Sequence, residues 1–367
     1  MKERLPRLRK AMAKEKLAGL LVRVAESGQS TQPNNQNVLY LSGFGGSAAV
    51  LLVTRKQAFI ITDARYYTRV RQEAVDFQLV NMNLGESIDT CINRALKLAK
   101  LNKRSKVGFE SHRLPHDMAL SWIEKVNVNL VPTTHLVERL RQYKDEDELK
   151  LLARACRATC KVYDEVVALI KPGMKEVDVA FEIDTRLRKH GASDNSFSSI
   201  VASGPNSAIP HHATGKRRLK AGEPVVMDFG GVFDGGYCSD ITRTVFVPGK
   251  KPTAAMQEIY EVVLGANKRA RRVLRAGVSY AEYDKAARDY IQKLGYGKYF
   301  THGLGHSLGL ETHDPYDYAN DPFEVGAVVT DEPGIYIEGV GGVRIEDDLI
   351  VTETGARRLT SAPYWSF

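Results

Sequence analysis

The sequence has few cysteines and no long apolar run, and both absences limit the kind of protein it encodes. Four cysteines in 367 residues are too few for the disulfide framework of a small secreted protein. No stretch approaches the roughly 18 uninterrupted apolar residues of a membrane span. The N-terminus, MKERLPRLRKAMAKEK, lacks the apolar core of a signal peptide. We therefore expect a cytoplasmic protein that has no membrane partner.

Aromatic residues are missing from the basic runs, although the chain carries a net charge of +8. These runs are KRSK at 103–106, KRR at 216–218 and KRARR at 268–272. Nucleic-acid sites usually combine basic residues with aromatic ones, whereas isolated basic runs are mostly solvated helix faces. We expect no nucleic-acid partner.

The first 135 residues alternate helix and strand signals and contain no glycine-rich phosphate loop. The segments NVLYLSGF, SAAVLLVT and QAFIITDARY predict strands broken by turns. SGFGGS at 42–47 has no helix after it, so it is interpreted as a strand-to-strand turn. We predict a small α/β domain over residues 1–135, a charged linker over 136–148 and a second domain over 149–367.

The second domain contains an internal repeat whose copies lie 104 residues apart. Three pairs of glycines have this spacing: Gly173 with Gly277, Gly191 with Gly295, and Gly222 with Gly326. In each copy two helical patterns, the second ending at a glycine, run into strands rich in Val and Ile. The pattern predicts an α+β domain with pseudo-two-fold symmetry, in which curved antiparallel strands line a cleft.

Carboxylates recur at matched positions of the two copies. GEPVVMDFG and GAVVTDEPG align so that Asp228 matches Glu332, and Asp240 lies near the counterpart of Glu346. Taken singly, Asp228 is an ordinary turn residue and Asp240 an ordinary strand residue. Four buried carboxylates together are too costly unless cations hold them, so we predict a metal site shared by both copies.

Histidines cluster in the stretch HGLGHSLGLETHDP, which holds His302, His306 and His313 among several glycines. A lone buried histidine is usually satisfied by a backbone carbonyl, but three so close together favour a functional site. His211, in SAIPHHATG, occupies the corresponding stretch of the first copy and is expected to face the same cleft.

Carboxylate oxygens with one imidazole favour two divalent ions, Mn²⁺ first, with Co²⁺ or Zn²⁺ as alternatives. Two ions about 3.5–4 Å apart would lower the pKa of a shared water from near 16 towards roughly 7. The resulting hydroxide is suited to attack an amide carbonyl.

Taken together, four motifs resemble the pita-bread metallopeptidases, in the branch of Xaa-Pro aminopeptidases and prolidases. They are DFGGVFDGGYCSDITRT, HGLGHSLGLETHDP, DEPGIYI and GVGGVRIEDD. The resemblance covers residues 145–367, and ITDARY is similar to the creatinase-type N-terminal domain of that branch. It implies an α+β pita-bread domain preceded by a smaller α/β domain, and a homodimer.

The same resemblance implies roles for individual residues. The five implied metal ligands are Asp228, Asp240, His306, Glu332 and Glu346. Asp240 and Glu346 would bridge both ions, Asp228 would bind one, and His306 with Glu332 would bind the other.

Catalytic roles are implied as well. Glu332 would also act as the general base. His211 and His313 would orient the substrate and stabilise the oxyanion. Arg344 would hold the metal-bound carboxylates or the carboxyl end of the substrate.

Two features depart from the family pattern. Asp228 and Asp240 are 12 residues apart where the family more often has 11, and FDGG carries the extra residue. We expect the hairpin tip to absorb it without moving either carboxylate. Asp331 stands where many relatives have an apolar residue; strand alternation directs it away from the metals, so it is assigned no role.

The expected activity is that of an Xaa-Pro aminopeptidase acting on proline-containing peptides, with an Xaa-Pro dipeptidase (prolidase) as the alternative. Methionine aminopeptidase and a creatinase-like amidinohydrolase fit less well. The former usually lacks the N-terminal domain, and the latter does not need the five ligands. A non-catalytic binding protein on the same fold is a remote alternative, because such relatives tend to lose ligands that this chain retains.

Overall fold

The computed structural model describes residues 3–24, 36–319 and 321–367. The chain forms two compact units, one ending at Arg141 and the other beginning at Gln142. This division falls within residues 136–148, the segment expected to be a linker. Among the described helices, none combines the length and apolar content needed to cross a bilayer.

The first unit alternates helices and strands. Its described helices are α1 (Arg4–Lys14), α2 (Gln36–Ser42), α3 (Tyr67–Glu73), α4 (Ile88–Leu98), α5 (His116–Lys125) and α6 (Glu138–Arg141). Its described strands are β1 (Gly19–Arg23), β2 (Val50–Thr54), β3 (Ala58–Asp63), β4 (Gln78–Met82), β5 (Lys106–Glu110) and β6 (Asn129–Thr133).

These strands form one mixed sheet in the order β4-β3-β2-β1-β5-β6. Strand β2 is antiparallel to both of its neighbours, whereas the remaining pairs are parallel. Every residue of β2 is buried, which explains why its first four residues, VLLV, are a continuous apolar run rather than an alternating pattern.

The prediction that NVLYLSGF forms a strand was wrong, because its first residues belong to α2. An apolar run of this length is compatible with a buried strand or a buried helix. Distant contacts decide the outcome here. The Asn37 amide donates to Glu110 and to Glu138, and the Tyr40 hydroxyl donates to the Leu140 carbonyl. Helix α5 was not predicted.

The second unit contains the two copies of the repeat. The elements of the first are α7 (Glu146–Val167), α8 (Glu176–Lys189), β7 (Asp194–Asn195), β8 (Ile200–Ser203), β9 (Pro224–Phe229), β10 (Gly231–Val232) and β11 (Ile241–Phe246). Those of the second are α9 (Ala254–Val273), α10 (Tyr280–Lys293), β12 (Val328–Asp331), β13 (Gly334–Ile337), β14 (Gly341–Arg344), β15 (Asp347–Val351) and β16 (Ala356–Arg358).

The backbone follows the 104-residue spacing closely. All six repeat glycines adopt the left-handed conformation, with φ between 80° and 96°. This region is costly for residues with a Cβ atom, so glycine is the natural choice. The predicted internal repeat is therefore present in the structure, with the same helix ends and turns in each copy.

Each copy packs its second helix on an antiparallel sheet of three strands. The sheets have the orders β11-β9-β8 and β12-β15-β16. The fully buried residues Val179, Ile183 and Leu187 of α8 correspond, 104 residues later, to Tyr283, Ala287 and Ile291 of α10, which are equally buried. A spacing of four residues places each set on one helix face, and the two cores are built alike.

Gly295 provides a test of this backbone requirement. An alanine Cβ there would meet nothing within 4 Å, so the φ of 87° is the main cost of substitution. We expect Gly295→Ala to lower the free energy of unfolding by about 1 kcal/mol, measured by thermal or denaturant unfolding. The matched control is Gly355→Ala, where the space is also open but φ lies outside the left-handed region. Equal stability of the two variants would contradict the argument.

Candidate metal centre

A pocket of about 1040 Å³ opens in the second unit. Its wall contains all eight residues that were predicted as site residues: His211, Asp228, Asp240, His306, His313, Glu332, Arg344 and Glu346. Because they come from both copies of the repeat, the pocket lies between the two copies.

Strands β9 and β11 position the two carboxylates of the first copy, since Asp228 lies in β9 and Asp240 immediately precedes β11. Asp228 pairs with Thr242 in the antiparallel register. Asp240 precedes Thr242 by two residues and therefore shares its face, diagonally across from Asp228. The connecting turn has glycines at 235 and 236 with φ of 72° and 82°. The ladder from Ile241 to Phe246 is continuous, so no bulge interrupts this pairing.

Glu332 and Glu346 flank the paired strands of the second copy. Glu332 follows β12, and Glu346 precedes β15. The backbone N–H of Glu346 donates to the Thr242 carbonyl at 3.0 Å, and the Thr242 hydroxyl donates to Glu346 Oε2 at 2.7 Å. These bonds join the copies where their carboxylates meet.

His306 directs one ring nitrogen at the carboxylates. Its Nδ1–H donates to the Ser307 carbonyl at 3.2 Å, which leaves the lone pair of Nε2 free for an electrophile. Nε2 lies 3.6 Å from Asp240 Oδ2 and 3.4 Å from Glu332 Oε1. A Cβ at Gly305 would lie 2.2 Å from the Thr330 carbonyl oxygen, so only glycine allows this approach.

The carboxylates have too little counter-charge. Burial and the neighbouring carboxylates raise the pKa of Asp240 and of Glu346 well above the usual range. Burial also raises the pKa of Glu332 to about 7, although Arg344 opposes the change. One oxygen of Asp228, of Asp240 and of Glu346 is buried without a hydrogen-bond partner. Hard oxygen donors and one imidazole, arranged in this way, fit divalent cations.

Arg344 compensates part of this charge. Its guanidinium donates to Asp228 Oδ2 at 2.6 Å and to the Tyr336 hydroxyl at 2.9 Å. The Tyr336 hydroxyl lies 2.9 Å from His302 Nε2, and burial raises the pKa of Tyr336 to about 12. The hydroxyl therefore stays protonated and donates a hydrogen bond to His302 Nε2, so Arg344, Tyr336 and His302 form one hydrogen-bonded chain.

Three of the pocket histidines, His302, His306 and His313, are uncharged at neutral pH. Burial lowers the pKa of His302 and of His313 to about 4, and it also lowers that of His306. The rings of His306 and His313 stack with centroids 4.0 Å apart. Each neutral ring has one N–H donor and one acceptor nitrogen, so these histidines can orient a substrate without adding charge.

His302, which lines the pocket, and its hydrogen-bond partner Tyr336 had no role in the sequence analysis. His302 was noticed but not assigned, and Tyr336 was overlooked. Strand alternation offered a signal, because Tyr336 lies two residues after Gly334 and four after Glu332 and therefore shares the face of Glu332. Asp331, as expected, is not among the residues that line the pocket.

A second group of donors lies in the first unit, where His112, His135 and Glu138 have metal-binding atoms within 4.8 Å of one another. Oε1 of Glu138 already accepts hydrogen bonds from Asn37, His112 and Arg113. Burial alone would raise the pKa of Glu138, but the bond from His112 and the charge of Arg113 lower it. Arg113 and the hydrogen bonds to Oε1 offset the charge of this carboxylate, while its Oε2 is buried without a hydrogen-bond partner. Because the pKa is lowered here and raised in the pocket, we assign the metal to the pocket carboxylates.

Family models match both parts of the chain. Residues 150–353 match metallopeptidase family M24, and residues 4–143 match the creatinase/prolidase N-terminal domain. Both the resemblance inferred from the motifs and the expected fold are confirmed.

Solved structures and a curated relative agree with this result. An Xaa-Pro dipeptidase from Bacillus anthracis is 36% identical, with a TM-score of 0.90 over 99% of this chain and 98% of that one. An X-Pro aminopeptidase from Thermotoga maritima MSB8 is 30% identical, with a TM-score of 0.88 over 98% of this chain and 99% of that one. The Xaa-Pro dipeptidase of Pyrococcus horikoshii is 34% identical, covering 89% of this chain and 90% of the relative. The chain therefore belongs to metallopeptidase family M24 and is a metal-dependent peptidase with a creatinase/prolidase N-terminal domain.

Proposed function

We propose that this peptidase cleaves the bond before proline at the N-terminus of peptides. One observation carries the proposal. Four carboxylates, three of them with a buried unpartnered oxygen, meet the Nε2 atom of His306 in the pocket of an M24 chain. The substrate class is supported by the names of the similar enzymes.

We assign the five donors to two divalent ions, Mn²⁺ first, with Co²⁺ or Zn²⁺ as alternatives. Asp240 and Glu346 would hold both ions. Asp228 would hold one, and His306 with Glu332 the other. The 3.4 Å separation of His306 Nε2 and Glu332 Oε1 supports this pairing. When bound, such ions would supply an activated water for attack on the peptide carbonyl.

Glu332 is assigned as the group that moves the proton. Its carboxylate takes a proton from the attacking water and returns it to the proline nitrogen as the C–N bond breaks. That nitrogen is part of a tertiary amide and carries no hydrogen, so its release as an amine depends on such a proton. The Thr330 hydroxyl, 3.1 Å from Glu332 Oε1, orients the carboxylate.

His211, His313 and Arg344 are assigned to substrate. An imidazole N–H of His211 or His313 donates to the carbonyl oxygen as negative charge develops on it. Arg344, buried beside Asp228 and Tyr336, holds the metal-binding carboxylate and presents positive charge to the carboxyl end of a substrate.

Peptide length separates two candidate functions. The sequence favoured an aminopeptidase, and the similarity to the X-Pro aminopeptidase of Thermotoga maritima supports that interpretation. The dipeptidase interpretation is favoured by the higher identities to the Bacillus anthracis and Pyrococcus horikoshii enzymes. We keep the dipeptidase as the second candidate.

A peptide panel tests the activity and its length preference. Purified protein is stripped of metal and assayed with Mn²⁺, Co²⁺ and Zn²⁺ separately on Xaa-Pro, Xaa-Pro-Yaa and Xaa-Ala-Yaa peptides. We expect Mn²⁺ to restore the highest rate, together with cleavage before proline and none before alanine. Turnover of dipeptides alone selects the dipeptidase. Equal cleavage before alanine would contradict proline specificity.

Substitutions test the assigned centre. We expect Glu332→Gln or His306→Ala to lower kcat/KM by at least about 10³-fold, because each removes a metal-binding atom and the former also removes the base. The unfolding temperature of the metal-free variants should stay near that of the wild type. The exposed Glu338→Gln, on the turn after β13, is the matched control and should retain activity. Near-normal activity of either centre variant would refute the assignment.

The raised carboxyl pKa values predict how pH affects metal-dependent stability. The folded metal-free centre holds protons that the unfolded chain releases, in a window from the ordinary value of 4.5 for Glu332 to about 7. Its stability therefore falls as pH rises through this window. Metal binding displaces those protons, so the gain in Tm on adding Mn²⁺ should be larger at pH 8 than at pH 6. An equal gain at both pH values would count against carboxylate ligation.

A further inference from the structure

Glu176, the first residue of α8, has no solvent exposure and no role in the site described above. Its carboxylate accepts five hydrogen bonds from one segment, residues 203–215. Oε1 accepts from the Ser203 backbone at 2.7 Å, the Ser203 hydroxyl at 2.8 Å and the Asn206 amide at 2.9 Å. Oε2 accepts from His212 Nε2 at 2.9 Å and from the Gly215 backbone at 3.2 Å.

This segment carries His211 and forms part of the pocket wall. Residues 210–214 all line the pocket. Ser203 and Gly215 lie on either side of His211 in the chain, so a single carboxylate holds both ends of the loop. It also holds His212, the immediate neighbour of His211. Any displacement of the Glu176 side chain would be transmitted to His211.

The carboxylate is ionised at neutral pH. Burial alone would raise the pKa of Glu176, but the hydrogen bonds from His212 and Ser203 outweigh it and lower the pKa. A buried charge is tolerated only while its donors stay in place. The charge therefore favours the one loop conformation that satisfies all five bonds.

The repeat shows a matching contact in the second copy. The residue 104 positions after Glu176 is Tyr280, the first residue of α10. Its hydroxyl donates to the carbonyl of Gly305 at 2.9 Å, immediately before His306. In both copies, the first residue of the second helix thus holds a loop that presents a pocket histidine. If Glu176 and Tyr280 served only to stabilise the first turn of their helices, their side chains would not need to bond to the loops that carry His211 and His306.

We propose that Glu176 is a positioning residue for His211, acting through His212 and the loop of residues 203–215. The proposal rests on the proposed function, in which His211 orients the substrate and stabilises the oxyanion. Glu176 itself does not line the pocket. Its contribution is to keep the His211 imidazole where charge develops in the transition state.

Glu176→Gln is the direct test. Glutamine keeps the size of the side chain, but its amide N–H₂ replaces one of the two accepting oxygens. The N–H₂ then faces loop groups that are themselves donors, so the loop is disturbed with little change in volume. A misplacement near 1 Å can cost about 100-fold in rate, so we expect kcat to fall by about 10- to 100-fold. KM should change little, because the lost interaction belongs to the transition state.

The matched control is Asp178→Asn. Asp178 is exposed, lies two residues further along α8, and accepts a hydrogen bond from the Lys175 backbone at the start of the helix. This variant perturbs the same helix start without touching the loop. We expect its kcat to stay within about twofold of the wild type.

A double-mutant cycle with His211→Ala separates positioning from a merely structural role. If Glu176 acts through His211, the double variant should be no more than about twofold slower than His211→Ala alone. Losses that multiply would overturn the proposal. A loss of bound Mn²⁺ in Glu176→Gln would also overturn it. If Glu176→Gln unfolds below the assay temperature, Ser203→Ala becomes the test, and a wild-type kcat in that variant would overturn the proposal. Ser203→Ala removes one of the five bonds and should lower kcat by less than Glu176→Gln does. In the His211→Ala background, Ser203→Ala should cause no further fall in kcat.

The same assays distinguish the two proposals. A wild-type enzyme that does not cleave before proline overturns the proposed function and this inference with it. A wild-type enzyme that cleaves, combined with multiplicative losses in the cycle, overturns the role of Glu176 alone.

Discussion

Repulsion between buried carboxylates is the constraint around which the second unit is organised. Burial and mutual proximity raise the pKa of Asp240, Glu332 and Glu346, so the protein holds together groups that resist being ionised side by side. Glu138 and Glu176 are equally inaccessible, but hydrogen bonds and, for Glu138, the charge of Arg113 lower their pKa values. Burial of a carboxylate is therefore common to structural and functional positions. The carboxylates of the candidate metal centre differ in that their pKa values stay raised, because too little positive charge lies beside them, and positive ions can supply that charge.

Duplication explains how one chain assembles such a group. Each copy brings two carboxylates on antiparallel strands, and the bonds between Thr242 and Glu346 fasten the copies where these side chains meet. The copies differ in their loops, since one presents His306 to the carboxylates and the other presents His211 to the pocket. A nearly symmetric scaffold thus gives an asymmetric site. That asymmetry suits a reaction in which one side of the peptide carbonyl is attacked while its oxygen is stabilised from another direction.

Much of this centre was predictable because its residues are tied to local patterns. The glycine spacing revealed the repeat, the matched GEPVVMDFG and GAVVTDEPG segments located the carboxylates, and the glycine-rich histidine stretch located His306 and His313. Local patterns failed where distant contacts decide the structure. NVLYLSGF forms α2 rather than a strand, since Asn37 and Tyr40 bond to residues about 70 to 100 positions away. Tyr336 was missed although strand alternation placed it beside Glu332.

By itself the sequence determined the element types of the second unit, the existence of two copies and eight of the residues that line the pocket, because these depend on residue type and spacing along the chain. Only the tertiary structure decided which carboxylate oxygens lack hydrogen-bond partners and which histidines are neutral. It also decided that the carboxylate of Glu176 accepts its hydrogen bonds from the loop that carries His211. Those properties depend on burial and on donors brought together from separate segments. No periodicity records them, because hydrogen bonds and desolvation act through space.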